Sequence, residues 1–243
     1  MIRRLSLRVP SDVLSGRHGE TVRVLAVSDE RDASLEHQVN RDRLGRIEAV
    51  LACGDLEPDY MAFLADAFQA PLLLVRGNHD RGGAWEEGHG RVPVPIDGRI
   101  ERIAGLSVLG LSWPGPARGR AQRTDLGAWR QVAFAYLRAM LARPRPQLLL
   151  SHVPPAGHGD VAGDPYHTGF VAYRWLCRRL QPLLWLHGHT PTAAVPHWRG
   201  ELGGTTLVNV TGAVLIELSQ VSASGRRPLV DEGTVVEMEE DAA

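Results

Sequence analysis

Lysine is absent from this chain of 243 residues, so all 27 basic residues are arginine. The bias reads mainly as a compositional property of the source. Its chemical consequence is that every basic side chain carries a fixed charge on a planar fork suited to phosphate. Cysteine is scarce as well. Cys53 and Cys177 alone make no disulfide framework and no cysteine-type zinc site, which fits a reducing compartment. Long apolar runs are missing: the opening MIRRLSLRVPSDVLSG has no uninterrupted apolar stretch of the signal-peptide kind. No segment reaches the ~18 apolar residues that a membrane span needs. A cytoplasmic location with no membrane partner is the resulting expectation. Excess charge of one sign is missing too, the net charge being −1 and the isoelectric point about 6.8. Nothing therefore points to nucleic acid or an acidic membrane, although local charge can still hold a phosphorylated ligand.

No repeat, low-complexity tract or shift in composition divides the chain. With 44% hydrophobic and 23% charged residues it is long enough for one large core, so residues 1–243 are read as a single domain. Apolar runs at 22–27, 47–52 and 71–75 alternate with helix-like stretches near 35–46 and 58–69, the rhythm of a parallel βαβ sheet. Residues 99–112 predict two strands around an Ala-Gly turn. Asp125 can cap a long amphipathic helix that runs through Arg143, closed by Pro144 and Pro146. A strand at 147–150, a helix near 169–180 and a strand at 182–187 follow, with closing strands at 205–210, 213–219 and 234–238. The mixture of parallel and antiparallel signals requires more than one sheet, with helices outside.

Five short motifs fall where apolar runs give way to turn residues, and hence at the carboxyl ends of strands, where open α/β sheets collect ligands. They are Ser28-Asp29-Glu30-Arg31, Gly54-Asp55, Gly77-Asn78-His79-Asp80, Ser151-His152 and His187-Gly188-His189-Thr190-Pro191. Their order resembles that of the calcineurin-like metallophosphoesterase family: Asp-x-His, Gly-Asp, Gly-Asn-His-Asp/Glu, a lone His, then Gly-His-x-His. The resemblance covers roughly residues 22–216 and leaves the first 20 residues and the acidic tail peripheral. It implies an α/β, four-layer αββα sandwich, two mixed sheets flanked by helices.

The resemblance also implies two metal-ligand sets that share Asp55 as a bridge. The second-metal set is complete as Asp55, Asn78, His152 and His189. The first-metal set keeps only the carboxylates of Asp29 and Asp55, because Arg31 and Pro191 stand where the family has histidines. Neither residue offers a lone pair from its side chain. The expectation is one firmly bound divalent transition metal, manganese, iron or zinc, with a second ion weak or absent. Arg31 is expected to take over part of the missing ion's role, by pairing with Asp29 and Asp55 or by forking onto a substrate phosphate. Its bland alternative is a surface salt bridge with Glu30 or Asp32.

By the same resemblance His79 would hydrogen-bond the phosphoryl oxygen and protonate the leaving alcohol, and Asp80 would orient its imidazole. His167 would reach the cleft and touch substrate, Trp113 in Trp113-Pro114-Gly115-Pro116 would wall the pocket, and Asn209-Val210-Thr211-Gly212 would pack beneath the site. His187 reads as a satisfied strand-end residue, His158 and His89 as solvated, and Cys53 as core. The implied activity is hydrolysis of a phosphomonoester, phosphodiester or pyrophosphate by metal-bound hydroxide, on a small phosphorylated substrate. The rival is a non-catalytic binding or scaffold protein on the same fold. The intact His79 and Asp80 argue against it; the lost donors at positions 31 and 191 argue for it.

Overall fold

The computed structural model describes residues 2–14, 20–81, 85, 89–115, 125–195, 197–220 and 235–236. Its strands are β1 (Ile2–Val9), β2 (Val22–Ser28), β3 (Ala49–Ala52), β4 (Leu72–Leu74), β5 (Ile100–Ile103), β6 (Leu106–Leu111), β7 (Leu148–Ser151), β8 (Leu184–His187), β9 (Arg199–Leu202), β10 (Thr205–Asn209), β11 (Gly212–Gln220) and β12 (Val235–Val236). The helices are α1 (Gln38–Arg43), α2 (Pro58–Ala67), α3 (Asp125–Leu141) and α4 (Val171–Leu180). One sheet runs β12-β1-β11-β2-β3-β4 and the other β5-β6-β7-β8-β10-β9. β2, β3 and β4 are mutually parallel, as are β6, β7, β8 and β10, while β11 is antiparallel to β2.

The layering follows from the two-residue period of a strand. Val22, Val24 and Ala26 of β2 join the core between the sheets, whereas Leu25 and Val27 face the layer packed with Tyr60, Met61 and Leu64 of α2. On the second sheet, Leu148, Leu150, Leu184 and Leu186 point into the same central core. Leu149 and Trp185 point outward against Val132 and Ala135 of α3 and Tyr173 and Leu176 of α4. Both faces are covered, which is why these strands read as unbroken apolar runs. The result is the αββα sandwich.

Local signals account for several boundaries. Pro58 opens α2 at a position whose N–H has no helical partner. The Ala104-Gly105 turn between β5 and β6 puts both residues in the left-handed region, φ 50° and 82°, as a two-residue hairpin turn demands. No helix among the described residues is long and apolar enough to cross a membrane.

One expectation needs correction. The first 20 residues are not peripheral, because β1 lies inside the first sheet, parallel to β11 from Arg3↔Val214 to Val9↔Gln220 and flanked by β12. Ile2, Leu5, Leu7 and Val9 are buried, the last three in the central core together with Leu14. Arginine and serine occupy the intervening positions of IRRLSLRV and break the apolar run that would have marked a strand. Of the acidic tail, only the two residues of β12 lie within the described structure. Leu5→Ala is therefore expected to lower the unfolding free energy by about 2–5 kcal/mol, the usual effect of truncating a core leucine, measured by urea denaturation. A change of a few tenths would return the segment to the periphery.

Candidate metal centre

The loops that leave β2, β3 and β4 of one sheet and β7 and β8 of the other meet at one edge of the sandwich, carrying Asp29, Asp55, Asn78, His152 and His189. Their backbones are tied across the gap. Asp29 N–H donates to Gly54 O at 3.1 Å, and Gly188 N–H donates to His152 O at 2.9 Å. His189 N–H donates to Asp29 Oδ2 at 2.9 Å, and His79 N–H donates to Asp55 Oδ1 at 2.8 Å. Two glycines permit this closeness. A Cβ at Gly77 would lie 2.1 Å from Asp55 Oδ1, and one at Gly188 would lie 2.1 Å from both Asp29 Oδ2 and Ser28 Oγ. Asp29, Asp55 and His189 themselves adopt left-handed φ of 59°, 55° and 67°, a conformation that costs a non-glycine residue about 1–3 kcal/mol.

The side chains converge on His152 Nε2. Asn78 Oδ1 is 2.9 Å away, Asp55 Oδ2 3.1 Å and His189 Nδ1 3.2 Å. Each imidazole uses its other nitrogen on a backbone carbonyl: His152 Nδ1 is 2.8 Å from Cys53 O, and His189 Nε2 is 2.8 Å from Tyr166 O. Carbonyl oxygens only accept, so these two nitrogens carry hydrogens; the facing His189 Nδ1 then carries a lone pair, and the facing His152 Nε2 offers one once a metal ion displaces its proton. Asn78, Asp55 and His189 thus each bring a donor atom within 3.2 Å of that nitrogen, and adjacent ligands on one ion with bonds of about 2.1 Å sit about 3.0 Å apart. The carbonyl-anchored histidines are also what metal ligands ordinarily show, since that bond fixes tautomer and ring plane.

The electrostatic field agrees. Burial pushes the His152 imidazole down, yet the Asp55 and Asp29 carboxylates outweigh it and lift its pKa to about 9, so the protein recruits positive charge to this point. Burial and the His152 charge push His189 down to about 3. Burial pushes Asp55 up, but His152 and the His79 N–H outweigh it and hold the carboxyl below its usual range. Among the described residues, Asp29, Asp55 and His152 form a group of ligand atoms all within 4.8 Å of one another, so Asp29 is as much a candidate ligand as Asp55. It also accepts a 3.4 Å hydrogen bond from Thr211 Oγ1. Asn209 and Thr211 lie beneath, where Asn209 Nδ2 donates to Thr190 O at 2.7 Å.

Two residues stand differently from the expectation. Arg31 turns outward: its Nε donates to Glu36 Oε1 at 2.8 Å and its guanidinium lies 5.1 Å from the Tyr60 ring centroid. It does not bridge Asp29 and Asp55, because a half-exposed carboxylate five residues on is a cheaper partner than a crowded, partly buried pair. The partner is also neither Glu30 nor Asp32. Asp80 does not orient His79. Its Oδ2 accepts the N–H groups of Asp55 and Gly77 at 2.8 and 2.7 Å, and its Oδ1 accepts Trp85 Nε1 at 2.7 Å. It therefore staples the two ligand loops together. Burial, then Asp55, lifts its carboxyl to about 6.

The polar partner of His79 is Tyr166, whose hydroxyl lies 2.9 Å from His79 Nε2 and 2.9 Å from Asn78 Nδ2. This tyrosine was not legible as functional; its only signal was its place beside His167. His167 reaches the cleft wall, held by Asp164 Oδ2 at 2.5 Å, with its ring 5.4 Å from that of His189. Trp113 lines the same side, 5.8 Å from the His189 ring. His187 is buried, with Nδ1 3.2 Å from Gly188 O, and Cys53 is fully buried. His158 is half-buried. The side chain of His89, Pro116 and the rest of the 116–124 loop lie outside the described residues.

A sandwich whose strand ends gather two carboxylates, an amide and two imidazoles in one cluster offers a donor set suited to a divalent metal ion. The chain belongs to the calcineurin-like phosphoesterase family, whose model matches residues 23–193. It is 27% identical over 185 residues to a probable cyclic nucleotide phosphodiesterase of Rhodopseudomonas palustris, a match spanning 70% of this chain and 66% of that relative's length. Among solved structures, the TT1561 protein of Thermus thermophilus superposes with a TM-score of 0.54 at 16% identity, covering 79% of this chain and 90% of its own. Another reaches 0.60 at 11% identity, over 87% and 99% of the two chains. At these identities the likeness is one of fold.

Two outcomes follow from the geometry. Manganese at about a hundred times its dissociation constant is expected to stabilise the fold by about 2.7 kcal/mol, read as a rise in melting temperature, and His152→Ala or Gly188→Ala to remove the rise. Arg31→Ala, by contrast, is expected to cost less than about 1 kcal/mol and to leave manganese binding unchanged, because Arg31 holds an exposed ion pair and a contact with the Tyr60 ring.

Proposed function

We propose that this chain is a divalent-metal-dependent phosphohydrolase of a small phosphorylated substrate. Phosphodiesters are the first class to test, given the description of the Rhodopseudomonas relative. The observation that carries the reading is the convergence of Asp55, Asn78, His152 and His189 on one point, with both imidazoles anchored to carbonyls. Two nitrogens and two oxygens suit manganese, iron or zinc better than calcium. When bound, such an ion supplies Lewis acidity at a phosphoryl oxygen and lowers the pKa of a coordinated water from 15.7 to about 7.

The chain's own residues supply the rest. His79 is exposed beside the cluster and backbone-tied to Asp55, which suits it to give a proton to the departing oxygen. Trp113 and His167 wall the cleft next to His189. Arg31 lines a neighbouring cavity of ≈380 Å³ with Arg3, Thr192 and Thr211, and it can meet an anionic substrate there by releasing Glu36. The absence of side-chain donors at positions 31 and 191 supports a single firmly held ion, and it is also what supports the non-catalytic reading.

One experiment separates the two. The protein is loaded in turn with manganese, iron(II) and zinc, and hydrolysis of bis-p-nitrophenyl phosphate, p-nitrophenyl phosphate and a cyclic nucleotide panel is followed. His79→Ala is expected to lower kcat by about 10²–10⁴-fold with the bound ion retained. Turnover no greater than that of His79→Ala with every ion would leave a metal-binding protein without catalysis.

A further inference from the structure

We propose that the Tyr166 hydroxyl is the positioning group that aims the Asn78 amide oxygen at the cation. The inference rests on the metal-site reading above. A carboxamide has two chemically opposite ends, and only its oxygen can ligate a metal. Which end faces His152 is decided by what the other end finds. Asn78 is only 1% exposed, so solvent does not decide it. A flipped amide would place its N–H against the His152 Nε2 lone pair, a satisfied hydrogen bond that competes with the cation for the same electrons. Tyr166 prevents this by accepting from Asn78 Nδ2 at 2.9 Å, which leaves Oδ1 2.9 Å from His152 Nε2.

The same hydroxyl lies 2.9 Å from His79 Nε2, where either group can supply the hydrogen, so the oxygen keeps a lone pair for Asn78 Nδ2–H in both cases. The main chain of Tyr166 is held separately. Its N–H donates to Asp164 Oδ1 at 2.8 Å, and its carbonyl accepts His189 Nε2 at 2.8 Å. Removing the hydroxyl alone therefore leaves the His189 support in place. Because the residue is half-exposed, its removal opens no core cavity.

The test is a double-mutant cycle read by manganese affinity, through calorimetry or competition with a chromogenic chelator, without turnover. Tyr166→Phe is expected to weaken manganese binding by about 10–100-fold, the usual effect of losing a partner that orients a ligand. An aspartate at the ligand position offers oxygen at both ends and needs no orientation. In the Asn78→Asp background, then, adding Tyr166→Phe should change affinity by no more than about twofold. The idea is overturned if Tyr166→Phe binds manganese like the wild type, or if the loss is the same in both backgrounds. A wild-type protein that binds no divalent ion would remove the metal reading itself and this inference with it.

Discussion

Electron-rich atoms that face one another across about 3 Å repel, and a fold that holds several of them together favours a positive charge beside them. This constraint organises the carboxyl edge of both sheets. Lone pairs on Asp55, Asn78, His152 and His189 are fixed there by bonds on their far sides, to backbone carbonyls for the histidines and to Tyr166 for the asparagine. The surrounding backbone is distorted accordingly. Among the described residues, three of the six non-glycine positions with left-handed φ are Asp29, Asp55 and His189. Asp80 holds the Asp55 and Gly77 loops in register, which converts two flexible turns into one rigid wall.

Much of this was legible in the residues, and the misses have physical causes. The strands β2, β3, β7 and β8 are buried on both faces, so their apolar runs and the turn residues after them stand out, and each delivers a side chain to the centre. β1 and β9 were hidden because arginine, serine, glycine and glutamate interrupt their apolar positions. Side-chain direction is less legible than position. Arg31 occupies the expected place in the chain, yet it pairs with Glu36, and Asp80 serves backbone N–H groups instead of an imidazole. No motif marks Tyr166, since the hydroxyl matters only because a loop more than eighty residues away in the chain folds over Asn78.

The charge pattern also distinguishes the two halves of the site. On the His152 side the Asp55 and Asp29 carboxylates outweigh complete burial and favour a charged imidazole. On the Asp29 side the carboxylate is already engaged by the His189 N–H and the Thr211 hydroxyl. Hydrogen bonds of this kind stabilise a carboxylate without a second dication. The asymmetry in the residues at 31 and 191 is thus matched by an asymmetry in how the remaining acids are satisfied.

The seating of β1 beside β11 carries a consequence for how the molecule is made. Arg3 leaves the ribosome long before its neighbour in the sheet, Val214. An apolar edge bearing Leu5, Leu7 and Val9 must therefore wait while the intervening strands are made before its pairing partner exists. Such long-range closure is slow, and it exposes a sticky strand in the meantime. The arginines at positions 3, 4 and 8, which mask the strand in the amino-acid pattern, put on that waiting edge the kind of charge that disfavours pairing with a neighbouring chain.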